Sequence, residues 1–202
     1  MIHALPGMGA DHRMFPDPWG DLAEFAAHDW PAYSGETTLT DIAITVARTC
    51  GIKDGDTLIG TSLGGMVACE IAKIRKLRAL FLVGSAAGKE EVNKLLAVLH
   101  PLAEIAPIEW LRFSAGSIPS ELPRMFAGVD ASFMRAMCAA IFQWEGLASA
   151  PVRCFRIHGK RDPVIPPPKH ADLLLDGGHL ISMTHPVECA GFVKAKLASP
   201  GT

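Results

Sequence analysis

The sequence predicts an α/β fold, a six-stranded parallel sheet covered on both faces by helices. Short apolar runs recur along its 202 residues, each closed by Gly, Pro or Ser and followed by a stretch with apolar residues at helical spacing. That is the rhythm of consecutive βαβ units. Apolar residues make up 49% of the chain and charged ones 20%, the balance of a sequence that builds one sizeable core. No repeat, low-complexity tract or linker divides it, so a single domain over residues 1–202 is expected.

Strands are predicted at residues 2–5, 25–30, 57–60, 79–83, 152–157 and 171–175, and helices at 19–24, 39–49, 63–75 and 186–197. Right-handed crossovers between parallel strands place such helices on both sides of the sheet. The stretch 88–147 breaks the pattern: it has no strand-like run, carries apolar residues at helical spacing and is interrupted by Pro101, Pro107, Pro119 and Pro123. Its neighbours both read as strands of one sheet, so it is expected to be a helical lid inserted into the domain. Only the tail after Ala198 reads as loose.

Nineteen Lys and Arg against 21 Asp and Glu give a net charge of −2, with no basic run. This disfavours nucleic acid and anionic membrane surfaces as partners and favours a small neutral or apolar molecule. The five cysteines, Cys50, Cys69, Cys138, Cys154 and Cys189, form no C-x-x-C pair, which suggests buried thiols rather than a disulfide framework or a zinc site. The first residues lack the charged start and apolar stretch of a signal peptide, and no segment has the length of a membrane span. A cytoplasmic location is expected, with no metal.

The chemistry concentrates in Gly60-Thr61-Ser62-Leu63-Gly64, a G-x-S-x-G run at the junction of a predicted strand and a predicted helix. Such a nucleophile elbow holds its serine in a strained turn with the hydroxyl above the sheet, and the flanking positions, Gly60 and Gly64, need glycine where strand and helix crowd together. A serine hydroxyl needs a base within reach, and the base needs an acid that fixes its tautomer. Asp162 lies in the loop after the fifth strand and His179 follows the sixth, at the strand ends where open parallel sheets build their sites. The chain order Ser, Asp, His accords with this type of elbow. The competing position for the acid, after the fourth strand, reads Gly84-Ser85-Ala86-Ala87 and offers no carboxylate before Glu90.

With Leu5-Pro6-Gly7-Met8-Gly9, the elbow, the H-G-x-x-D-x-x-x-P loop from His158 to Pro166 and Gly178-His179, the chain resembles compact members of the α/β-hydrolase superfamily over nearly all of its length outside the insertion. The resemblance implies a three-layer fold trimmed of two leading strands, with all six strands parallel in the spatial order second, first, third, fourth, fifth, sixth. It implies an oxyanion hole from the backbone N–H groups of Met8 and Leu63, and no cofactor. The short span from Asp162 to His179 predicts that the helix before the last strand shrinks to a turn at 166–170.

Among the other histidines, His185 precedes Pro186 where a helix starts and reads as a cap. His158 belongs to a strand-to-loop turn and His3 to a strand, while His12, His28, His100 and His170 lack motif support. Asp11, His12 and Arg13 read as surface ion pairs beside the first loop. In the insertion, Trp110, Phe113, Met125, Phe126, Phe133, Met134, Met137, Phe142 and Trp144 would supply its own core and an apolar lining over Ser62. The expected activity is hydrolysis of a small, largely apolar carboxylic ester or thioester through an acyl-enzyme. The same three side chains also suit C–C bond hydrolysis, cyanohydrin cleavage or acyl transfer, and the scaffold suits a non-catalytic small-molecule binder.

Overall fold

Six parallel strands form the centre of the computed structural model, which describes residues 1–92, 125, 130–147 and 152–199. They are β1 (Ile2–Leu5), β2 (Phe25–Ala27), β3 (Thr57–Thr61), β4 (Ala79–Val83), β5 (Cys154–Gly159) and β6 (Leu173–Leu175), in the order β2-β1-β3-β4-β5-β6. Every pairing is parallel. This is the strand order that the resemblance implies.

Alternation along the strands sorts the core into two halves. Leu58, Leu80 and Leu82 face one side, where they pack with α1 (Leu39–Thr49) and α2 (Leu63–Ile74). Ile59, Phe81 and Val83 face the other, against Met14, Phe15, Trp19 and the C-terminal helix, α5 (Pro186–Ala198). Because both faces are covered, β4, Ala79–Val83, is apolar and buried at every position. Helix α1 begins with a capping box, Thr38 Oγ1 accepting from Asp41 N–H (3.1 Å) and Asp41 Oδ2 from Thr38 N–H (3.1 Å). Helix α5 begins with Pro186 and carries Glu188 in its first turn and Lys196 in its last, which suits the helix dipole.

The predicted elements differ from the observed ones mostly at their edges. The predicted helix at 19–24 is only a 3-10 turn, Trp19–Asp21, and the predicted strand at 25–30 stops at Ala27. Beyond His28, whose N–H still donates to Ala4 O (3.0 Å), the chain turns from the sheet edge and Trp30 reaches the loop after β1. Strand β5 starts later and ends later than predicted, at Gly159, and β6 is confined to three residues. Residues 160–172 hold no helix, in keeping with the predicted turn. A short helix, α4 (Ile181–Thr184), follows His179 and has no counterpart in the prediction.

Within the predicted insertion, the described part is residues 88–92, Met125 and 130–147; the remaining predicted core residues Trp110, Phe113 and Phe126 lie outside the described residues. Helix α3 (Ala131–Phe142) starts on Asp130, whose carboxylate accepts from the N–H groups of Ser132 (2.7 Å) and Phe133 (3.3 Å). The departing and returning chain meet in an isolated bridge between Gly88 and Gly146, backed by Leu147 N–H to Ala87 O (2.8 Å) and by a Lys89–Glu145 ion pair (2.6 Å). Trp144 Nε1–H then donates to Glu70 on α2 (2.7 Å), and the same carboxylate accepts from Thr40 Oγ1 (2.8 Å) and pairs with Lys73.

At the opposite end of the sheet, buried His3 bonds His28 (Nδ1 to Nε2, 2.9 Å) and Asp56 (Nε2 to Oδ2, 3.2 Å), and Asp56 also pairs with the Met1 amino group (3.0 Å). Burial lowers the pKa of both histidines below the ordinary 6.5; at His3 the Asp56 carboxylate opposes this, and at His28 the neighbouring His3 adds to it. Their folded pKa values being the lower ones, their contribution to stability is complete above about pH 6.5 and is lost as pH falls toward the folded values. Urea-unfolding midpoints are therefore expected to drop between about pH 7 and about pH 5, and His28→Gln to make that slope shallower. An unchanged slope in His28→Gln would count against the pair as its source.

Candidate active site

Strand β3 ends at Thr61 and α2 begins at Leu63, so Ser62 alone makes the turn. Its backbone sits at φ 50°, ψ −119°, a region that costs a non-glycine residue about 1–3 kcal/mol unless its surroundings enforce it. Here they do. Ser62 N–H donates to Val83 O (3.2 Å), while Ser62 C=O accepts from the Ser85 hydroxyl (2.6 Å) and from Gly65 N–H (3.0 Å). Strand and helix pass so close that a β-carbon on Gly60 would overlap the backbone of Gly65, and one on Gly64 the carbonyls of Leu5 and Pro6. The two elbow glycines read from the sequence thus serve as contact points between backbones.

Asp162 and His179 meet. Asp162 Oδ2 accepts from the His179 ring at Nδ1 (2.8 Å), and its Oδ1 accepts from the N–H groups of Val164 (2.8 Å) and Ile165 (3.0 Å). His158, fully buried, donates from Nε2 to Ile165 O (2.7 Å) and lies 3.4 Å from Asp162 Oδ2. Burial raises the pKa of the Asp162 carboxyl. The charge of His179, hydrogen bonds from His158 and His179 and the Ile165 amide outweigh it, and hold the group well below the usual carboxylate range. The aspartate therefore stays ionised while shielded from water.

Both groups border the elbow through Gly84, the residue after β4. A β-carbon there would lie 2.9 Å from His179 O, 3.7 Å from His179 Nδ1 and 3.6 Å from Asp162 Oδ2. The neighbouring Val83 carbonyl holds Ser62 N–H. Ser62, Asp162 and His179 thus gather at the carboxyl ends of β3, β4, β5 and β6. Among the hydrogen bonds of the described residues, none joins the Ser62 hydroxyl to the His179 ring; bonds of this kind often tighten only once a substrate is bound.

The loop after β1 supplies the facing wall. Gly7 lies against Ser62, a β-carbon on it falling 3.4 Å from Ser62 Cβ. Gly7 N–H points to Met14 Sδ (3.1 Å), and Gly7 O accepts from Ala10 N–H (3.2 Å) and Trp30 Nε1–H (3.0 Å). Among the described residues, the N–H groups of Met8 and Leu63 donate to no other group. The Met8 side chain joins the core cluster of Phe133 and Met137 and touches Cys138 (3.7 Å between sulfurs). Trp30 and Tyr33 approach Phe133 at 5.3 and 6.0 Å between ring centres.

Several predicted features lie elsewhere. Arg13 bonds Asp11 at both carboxylate oxygens and His12 Nδ1 bonds Asp29 (2.7 Å), the surface pairing the sequence suggests. Phe142 is largely exposed, and Met125 is buried in the half of the core that holds Trp19. Trp30, Met14 and Ser85 were not singled out by sequence. Of these, only Ser85 carried a signal, its place directly after a predicted strand and a glycine.

A sequence profile of the alpha/beta hydrolase family matches residues 2–192. The chain belongs to the alpha/beta hydrolase family. Solved structures agree in fold. A thermophilic esterase from Thermogutta terrifontis aligns with a TM-score of 0.67 at 17% identity, covering 97% of this chain and 88% of its own. A hydrolase from Oleispira antarctica reaches a TM-score of 0.75 at 13% identity, covering 98% and 91%. A meta-cleavage product hydrolase from Pseudomonas fluorescens reaches 0.66 at 17% identity, covering 97% and 89%. No curated protein matches the sequence.

Backbone contact at the elbow makes a sharp prediction for this alpha/beta hydrolase. Gly64→Ala is expected to lower stability by about 3 kcal/mol or more, or to prevent folding, because the atoms it would strike are backbone. Gly191→Ala, inside α5 with open space around it, should stabilise by roughly 0.5–1 kcal/mol. Urea denaturation of both variants checks the contrast.

Proposed function

We propose that this alpha/beta hydrolase is a serine esterase that cleaves a small, largely apolar carboxylic ester or thioester through an acyl-enzyme. The observation that carries the reading is Ser62, held at positive φ at the head of α2, at the same carboxyl end of the sheet as the bonded Asp162–His179 pair. Ser62 Oγ attacks the carbonyl carbon as His179 Nε2 takes its proton, and Asp162 keeps the ring oriented through Nδ1 and stabilises the imidazolium. The depressed pKa of Asp162 suits this, since the acid must remain an anion while its neighbour gains charge. The N–H groups of Met8 and Leu63, which make no other bond among the described residues, receive the negative oxygen of the tetrahedral intermediate. On its collapse His179 protonates the leaving alcohol or thiol, and then activates water to release the acid.

The apolar preference rests on the residues facing the loop after β1. Met8, Phe133, Met134, Met137 and Cys138 line or back that side without a charged group among them. Helix α3 belongs to the segment 88–147, which we assign as a lid within a single domain, so the same residues would exclude water during acyl transfer. Among the described residues, no helix is long and apolar enough to cross a membrane, and the reading needs no metal or cofactor.

The unaltered chain is expected to react with a fluorophosphonate probe and to hydrolyse p-nitrophenyl esters of short acyl chains. Ser62→Ala and His179→Ala should each lose at least about 10⁴-fold in kcat, and Asp162→Asn roughly 10³- to 10⁴-fold, with folding intact by circular dichroism. Labelling that persists in Ser62→Ala would sink the nucleophile assignment. Labelling at Ser62 without turnover of any ester would point instead to C–C bond hydrolysis, cyanohydrin cleavage or acyl transfer, and tight ligand binding without labelling to a binding protein.

A further inference from the structure

The loop after β1 contains a contact whose geometry bears on the oxyanion site. Gly7 C=O and Met8 N–H belong to one trans peptide unit, so they point in opposite directions within one plane. Whatever fixes the carbonyl therefore fixes the amide. The carbonyl has two donors: Ala10 N–H, which closes the local turn at 3.2 Å, and the indole N–H of Trp30 at 3.0 Å, from a residue 23 positions away. The turn alone would leave this peptide attached only to its own loop. Trp30 ties it to the rest of the molecule.

Trp30 is in turn well placed to act as a fixed point. Its ring lies 5.3 Å from Phe133 on α3, and Tyr33 meets the same ring at 6.0 Å. The loop carrying Trp30 and Tyr33 is anchored by buried Glu36, whose carboxylate accepts from Ser34 N–H (3.0 Å), Ser34 Oγ (2.8 Å) and Thr45 Oγ1 (2.9 Å). These bonds outweigh the effect of burial and lower the Glu36 pKa to about 2, so the anchor stays charged at neutral pH. On the far side of the peptide, Met14 Sδ receives Gly7 N–H at 3.1 Å, which fixes the preceding peptide too.

We propose that Trp30 is a positioning residue for the oxyanion hole, holding the Gly7–Met8 peptide so that Met8 N–H stays aimed at the position above Ser62. The assignment rests on the esterase reading above. It predicts that removing one indole proton weakens transition-state stabilisation while leaving substrate binding in place. A donor that drifts by a few tenths of an ångström loses most of its advantage over water, because the benefit of an oxyanion hole lies in its being aligned beforehand.

The test compares the unaltered chain with Trp30→Phe and with a chain in which the Trp30 indole is replaced by benzothiophene, an isosteric ring with sulfur in place of N–H. The second keeps the packing on Phe133 even if Trp30→Phe folds poorly. With a p-nitrophenyl ester, kcat is expected to fall about tenfold in both while KM stays within about twofold. The inhibition constant of an alkylboronic acid, which adds to Ser62 and mimics the tetrahedral intermediate, should rise in step with the loss in kcat. An unchanged kcat in the benzothiophene chain, or a change confined to KM, overturns the positioning role and leaves Trp30 as packing or as a substrate wall. Failure of the unaltered chain to show Ser62-dependent turnover overturns the esterase reading, and the role of Trp30 with it.

Discussion

The site depends on how closely α2 approaches β1 and β3. At Gly60 and Gly64 the backbones are in direct contact, which forces the single residue between strand and helix into positive φ. A looser junction would let Ser62 relax into ordinary helical geometry and turn its side chain. The contact also brings the loop after β1 against the head of α2, with Gly7 beside Ser62. One steric constraint thus sets both the strained residue and the loop that faces it.

Charge is managed by a different device. Asp162 is removed from water yet held as an anion by two amides, His179 and His158, an arrangement in which hydrogen bonds replace hydration. Glu36 follows the same logic away from the strand ends, buried and receiving three donors, and buried Glu70 also receives three donors. Glu70 joins segments distant in sequence, Asp162 reaches from the loop after β5 to His179 beyond β6, and Glu36 pins its own loop to α1 through Thr45. The interior uses buried carboxylates as junctions where apolar packing alone would not specify one arrangement.

Much of this was legible in the sequence because its cues are local. A strand, G-x-S-x-G and a helix fall within a short window, and strands buried on both faces write themselves as apolar runs. The parallel order of the six strands followed from resemblance, and the structure has it. Elsewhere tertiary contacts overrule local pattern: residues 29 and 30 look strand-like, yet they turn from the sheet and Trp30 bonds Gly7 O. The helix expected at 19–24 shortened to a single turn around Trp19, whose ring is buried in the sheet face and whose N–H is taken by Ser182 O (2.9 Å). Trp30 itself could not be picked out, since a hydrogen bond to a backbone carbonyl leaves no motif.

The bridge between Gly88 and Gly146 has a bearing on how such a chain can diversify. Residues 88 and 146 meet at this bridge, and the return side is fastened to α2 by Trp144. What the bridge encloses is itself part of the core, with Phe133, Met137 and Ile141 on one face of the sheet and Met125 on the other, so exchanging it would reach the frame that carries Ser62. Any new ligand preference written into this segment is therefore bounded by the packing it owes to the rest of the domain.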